Sequence, residues 1–223
     1  MIKNSLCALL LAPSLLVGHQ VQVVAKENIE SASENFEIAK SELRQKLSLL
    51  NTFSSDFSQV VKASDGELIQ NATGNLILQK PNMLIWNNLE PEEMTIQSDG
   101  NTLWHYDPFI EQVSVYSIDS AIANTPILLL SSTDDNLWQD YQVSKMSELE
   151  YVIYNNQLDA QVKSLTLMFD NQSEKTVLSS FTLIDSTAQA STFTLTNFKE
   201  VSMLPPSTFV FSVPEGVDVD DQR

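Results

Sequence analysis

The residues able to do covalent or acid-base chemistry are few in this chain, and their spacing argues against catalysis. A serine relay would have to be built on His105, since the other histidine, His19, lies in an N-terminal leader. His105 stands in Trp104-His105-Tyr106, and a strand histidine between aromatic residues serves structure far more often than proton transfer. No G-x-S-x-G elbow surrounds a serine, and Cys7 also falls in the leader, which leaves the mature chain without a thiol nucleophile or a disulfide. One histidine and no cysteine leave only carboxylates for a metal, and no EF-hand spacing appears. The five glycines, at 18, 66, 74, 100 and 216, never stand as a P-loop requires. The acidic pairs Glu92-Glu93, Asp134-Asp135 and Asp220-Asp221 suit solvated loops better than a glycosidase acid and base. The chain reads as a non-enzyme with no metal and no cofactor.

Residues 1–25 have the form of an export signal: basic Lys3, an apolar run from Leu6 to Val17, and small or β-branched Val23 and Ala25 before a cut ahead of Lys26. Residues 26–223 then form one domain outside the cytoplasm. That length can bury a core without covalent staples. No later segment reaches the roughly 20 apolar residues of a membrane helix. The sequence carries 12 basic and 29 acidic residues, a net charge of −17, so nucleic acid is excluded as a partner because phosphate binding relies on clustered Lys and Arg. An anionic membrane surface would repel the chain as well.

The elements that position the remaining residues follow from periodicity. Ser31-Ala32-Ser33-Glu34 has the form of a capping box, and Phe36, Ala39, Leu43, Leu47 and Leu50 recur behind it at spacings of three and four, which predicts an amphipathic helix starting near Ser31. From Thr52 the period becomes two, with Phe53, Ser55, Phe57, Gln59 and Val61 on one strand face. Asp65-Gly66 and Asp99-Gly100 mark hairpin turns, and Asp107-Pro108 another reversal. Apolar strands follow at Leu76–Leu78, Met83–Trp86, Met94–Ile96 and Leu103–Tyr106. Asn124-Thr125-Pro126 then opens a helix, Pro126–Leu130, that is apolar on every side. Asp134-Asp135 caps a short turn holding Leu137 and Trp138, and Tyr141 to Phe211 reads as further strands, with turns near Asn155-Asn156 and Asn171-Gln172.

So many hairpins imply one large antiparallel sheet. Such a sheet has to curl to protect its apolar face, and the helices around Leu43 and Leu128 can cover the concave side, leaving a pocket between helix and strands.

Lys80-Pro81-Asn82, the run from Ser98 to Trp104, Tyr106-Asp107-Pro108-Phe109, Glu111-Gln112, Asn124-Thr125-Pro126 and the terminal Val219-Asp220-Asp221-Gln222-Arg223 occur in the order found in the periplasmic outer-membrane lipoprotein carriers, the LolA family, and the chain resembles that family over nearly its whole mature length. The resemblance implies an unclosed antiparallel half β-barrel covered by short helices as a lid, mainly β in class. It implies a periplasmic, monomeric chaperone that takes lipoproteins from an inner-membrane ABC transporter and hands them to an outer-membrane lipoprotein receptor. It also implies a lid gate at Lys80, where the best-known members carry arginine, bonded to main-chain carbonyls near Leu47, Leu130 and Ser131. The lining expected for acyl chains is Leu43, Leu47, Met83, Leu84, Trp86, Met94, Trp104, Tyr106, Ile127, Leu128 and Leu129. A lipoprotein-sensing regulatory module of the same fold is the alternative reading.

Overall fold

The computed structural model of this protein describes residues 18–124, 126–172 and 175–223. Most of the expected leader, and Thr125 of the expected helix opening, lie outside them. The chain falls into two units, residues 1–35 and 36–223. Helix α1 spans Gly18–Ser48. The helix is therefore already running at Ser31, which stands inside it and is not its N-cap, a correction to the expected start.

In the second unit, twelve strands form a single sheet: β1 (Thr52–Lys62), β2 (Leu68–Gln79), β3 (Met83–Glu90), β4 (Met94–Asp99), β5 (Thr102–Asp107), β6 (Gln112–Ser117), β7 (Tyr141–Ser147), β8 (Glu150–Asn155), β9 (Val162–Gln172), β10 (Lys175–Asp185), β11 (Ala190–Glu200) and β12 (Asp218–Asp221). Their order is β12-β6-β5-β4-β3-β2-β1-β11-β10-β9-β8-β7. Neighbours are antiparallel except β12, which runs parallel to β6. The two ends of the order do not pair, so the sheet is an unclosed half-barrel. Gly66 and Gly100 take the positive φ, 88° and 100°, that their turns demand.

Between β6 and β7 the chain forms α2 (Ile118–Asn124), which the sequence reading did not foresee, then 3₁₀ helices at Pro126–Leu130 and Asp135–Asp140. The apolar Pro126–Leu130 segment is thus a tight 3₁₀ turn. Asp134 caps the second 3₁₀ helix by accepting from the Asn136 amide. Beyond β11 the expected strand pattern fails: Val201 to Phe211 contains a 3₁₀ helix, Pro206–Phe209, and no strand.

The core lies on the inner face of the sheet. Ala39, Leu43, Leu47 and Leu50 of the first helix and its exit are buried together with Leu128, Leu129 and Leu130 against Phe53, Leu78 and Leu84. Burying each such leucine contributes about 2 kcal/mol, which is why an apolar stripe on α1 and an apolar turn at 126–130 come to rest on the same surface. Gly74 makes one close approach possible. A Cβ there would stand 2.1 Å from the Asn87 carbonyl oxygen and 2.3 Å from the Phe57 ring. That ring is free to stack on Trp86 at 4.3 Å between centroids.

Candidate functional site

Lys80 follows β2 directly, so its side chain emerges where the sheet meets α1. Its Nζ donates to the main-chain oxygen of Leu47 at 2.5 Å, and its own amide donates to the Asn51 oxygen. Leu47 sits in the last turn of α1, where carbonyls lack helical partners and carry partial negative charge, so an ammonium is well placed there. Burial lowers the Lys80 pKa. Of the three carbonyls expected as partners, the structure brings only that of Leu47 to Lys80. Ser131 is engaged otherwise: its oxygen accepts from the Asn82 amide at 3.2 Å and its hydroxyl donates to the Leu128 oxygen at 3.0 Å. Leu130 is buried in the core cluster. The Asn82 side-chain oxygen, close by in sequence, is buried without a hydrogen-bond partner. A hollow of about 220 Å³ at this junction is lined by Arg44, Leu47, Lys80, Leu129 and Trp138, among others.

Two further polar ties hold α1 down. Arg44 donates to the Asp135 carboxylate at the start of the 135–140 turn. Glu42 receives Lys145 of β7 at 2.9 Å and, more loosely, the Tyr151 hydroxyl of β8 at 3.4 Å. The Lys145 hydrogen bond lowers the Glu42 pKa.

Farther along the inner face lies an apolar cavity of about 200 Å³. Strand register decides what enters it. Leu84 and Trp86 point inward from β3, and cross-strand pairing puts Ile96 opposite Trp86 and Met94 opposite Asn88. Phe181 and Leu183 of β10, Phe193 of β11 and Ile127 of the cover complete the apolar wall, and Gln59 and Asn88 are its polar members. Phe181 and Phe193 stack at 4.6 Å, and Trp86 meets Phe193 edge-on at 5.1 Å. The floor is aromatic.

Four expected lining residues, Leu84, Trp86, Met94 and Ile127, thus meet around this cavity. Leu43 and Leu128 are fully buried in the adjoining core, and Leu47 and Leu129 border the hollow beside Lys80. Met83, Trp104 and Tyr106 are corrected. They alternate with the inward residues and so occupy the outer face, where the segment after β11 covers them. Met83 accepts from Gln79 Nε2, and the same Gln79 amide donates to the Leu204 oxygen. Trp104 and Tyr106 pack on Phe211, at 6.2 and 5.8 Å.

The missed residues, Gln59, Asn88, Ile96, Phe181, Leu183 and Phe193, belong to the strand faces that carry the inward set. The period-two spacing of Phe181 with Leu183 and of Phe193 with Leu195 was the available signal.

His105, inward beside Ile96, borders a separate hollow of about 540 Å³ with Leu103, Tyr116, Ala121 and Gln161. Burial lowers its pKa, opposed by the Asp107 charge. Its cross-strand neighbour Ser114 accepts at its hydroxyl from Gln112 at 3.2 Å. Among the described residues no three metal-ligating side chains gather, and no helix is long and apolar enough to cross a membrane.

Comparison with known proteins matches residues 48–212 to the family described as outer membrane lipoprotein carrier protein LolA. The outer-membrane lipoprotein carrier protein of Aeromonas salmonicida is 36% identical over 193 residues, covering 86% of this chain and 94% of that one. That of Pasteurella multocida is 37% identical over 185 residues, covering 83% and 88%. Among solved structures, a LolA superfamily protein from Nitrosomonas europaea superposes with a TM-score of 0.50 at 14% identity, covering 78% of this chain and 97% of that one, a likeness of fold.

Proposed function

This chain belongs to the LolA family of outer-membrane lipoprotein carriers, and from that premise we propose how its own residues carry lipidated cargo. It is a lipoprotein chaperone of a carrier family. In our reading the leader of residues 1–25 is removed on export and the remaining domain works as a monomer in the periplasm. There it accepts lipoproteins from an inner-membrane ABC transporter and gives them up to an outer-membrane receptor.

The observation that carries the mechanism is an apolar hollow on the inner face of an unclosed sheet, covered by elements whose attachment includes the single Lys80 to Leu47 hydrogen bond. Each acyl CH₂ withdrawn from water is worth about 0.8 kcal/mol, so lipidated cargo leaves a bilayer only for an equivalent apolar surface. Leu84, Trp86, Met94 and Ile127 offer that surface, and Leu43, Leu47, Leu128 and Leu129 extend it once the cover moves. Movement is required by size. A cavity of about 150 Å³ accepts one benzene, so about 200 Å³ admits a short hydrocarbon segment and not a full set of acyl chains. The closed cover thus competes with cargo for the same apolar residues, which keeps binding reversible.

Incubation of the purified protein with inner-membrane vesicles, the transporter and ATP tests this reading. Lipoprotein is expected in the soluble fraction bound to the protein, and its retention in the vesicles overturns the assignment.

A further inference from the structure

Among the described residues, Gln59 and Asn88 are the two polar side chains in an otherwise apolar cavity wall, and no charged side chain lines it. Both face inward by register: Gln59 pairs with Ala72 of β2 and Phe193 of β11, and Asn88 with Gly74 of β2 and Met94 of β4. Between the two amides, β2 presents the small Ala72 and Gly74, with the Phe57 ring packed over Gly74. Asn88 accepts from Trp86 Nε1 at 3.0 Å through its side-chain oxygen. This bond turns the NH₂ of Asn88 away from the indole as a donor. Among the described residues, the Gln59 side chain makes no hydrogen bond. The Gln59 amide and the Asn88 NH₂, both half-buried, are thus available to a guest or to water. Thr52 and Met83, where β1 and β3 begin, pair with Gln79, next to Lys80. Gln59 and Asn88 lie toward the other ends of those strands, so they mark the end of the cavity away from the latch.

Resting on the carrier reading above, we infer that Gln59 and Asn88 form a neutral collar that hydrogen-bonds the ester or amide carbonyls joining acyl chains to their headgroup. The cavity therefore selects esterified or amidated chains over ionised fatty acids. The chemistry follows from the donor set. A carbonyl is an acceptor that two amide N–H groups satisfy without any transfer of charge, whereas a carboxylate would have to be desolvated in a wall with no cation to pair it. The collar also sets depth, since Phe181 and Phe193 flank it in register and hydrocarbon beyond the carbonyl reaches Trp86 and Leu84.

The test is displacement of an alkyl-tailed fluorescent probe from the full mature chain by a fatty acyl amide, the matching methyl ester and the ionised fatty acid of equal chain length. Wild type is expected to bind the amide and ester about tenfold more tightly than the acid. Gln59→Leu is expected to weaken the amide and ester roughly fivefold, the value of one neutral hydrogen bond, with binding of the alkyl probe itself kept. Gln59→Glu, which removes the donor and adds charge, should weaken both further. Equal affinity of wild type for all three ligands, or parallel changes in amide and probe binding in both variants, overturns the collar. Failure of wild type to bind the probe or any of the ligands overturns the carrier reading, and the collar falls with it.

Discussion

Lys80 Nζ reaches the Leu47 oxygen at 2.5 Å, and through that contact the end of β2 holds the last turn of α1 on the sheet. The pairing joins a flexible point charge to a helix end. Arginine would offer a planar fork able to hold two carbonyls at once, whereas Lys80 holds one, leaving Ser131 to the Asn82 amide. Arg44 with Asp135 and Glu42 with Lys145 tether α1 as well.

Replacing Lys80 by Leu removes one of the two donors to the Leu47 carbonyl and leaves it the Leu50 amide at 3.0 Å. The half-buried bond is worth on the order of 1 kcal/mol after solvent screening, so the ratio of closed to open molecules should fall about fivefold. In a two-membrane transfer assay cargo uptake is expected to persist while hand-over to the receptor slows, and Lys80→Arg should restore it. Unchanged transfer rates in Lys80→Leu would remove the gate role.

The face assignment of the tryptophans is open to direct measurement. With Trp138 replaced by Phe, single-tryptophan variants keeping Trp86 or Trp104 separate the two sides of the sheet. A brominated acyl chain should quench Trp86 strongly and Trp104 little, because Trp104 lies under Phe211 on the outer face. Comparable quenching of both would contradict the register.

Gly74→Ala tests the close packing of β2 beneath Phe57. The added methyl meets backbone as well as a ring, so relief by a side-chain shift alone is insufficient. A loss of about 3 kcal/mol is expected, read as a lower urea midpoint at constant slope. An unchanged midpoint would show that β2 and β3 separate more easily than the structure implies.

His105 links stability to pH. Burial places its folded pKa below the ordinary 6.5. Between those two values the unfolded chain binds more protons, so stability is fully present above about pH 6.5 and declines as pH falls toward the folded pKa. Asp221, held at about 2 by Arg223, contributes stability that is constant over this range and is lost only as pH falls from 3.8 toward 2. Tm should therefore drop between pH 7.5 and 5.5, with a smaller drop in His105→Gln. Identical pH profiles would exclude His105 as the source.

Much of the fold was legible because its signals are local. The switch from a spacing of three and four in Ala39, Leu43 and Leu47 to a spacing of two after Thr52 marks the passage from helix to sheet, and Asp65-Gly66 and Asp99-Gly100 place turns by φ requirements that belong to single residues. The start of α1 was not legible, since a capping-box pattern at Ser31 is equally compatible with a helix interior. The region from Val201 to Phe211 was misread as strand because its apolar residues resemble a strand's, although they cover the sheet and do not extend it.

The amino-acid sequence alone determined the class of molecule: an acidic chain with alternating apolar strands and an apolar cover, fitted to hold hydrocarbon. Tertiary structure decided which side of each strand faces the cavity. On β3 and β5 both sides are apolar, with Leu84, Trp86 and Leu103 within and Met83, Trp104 and Tyr106 without, so hydropathy cannot distinguish them. The segment after β11 partly covers the outer set, while α1 and the 126–130 turn bury the inner one. Burial on two faces erases the polar alternation from which a sequence reveals its inside.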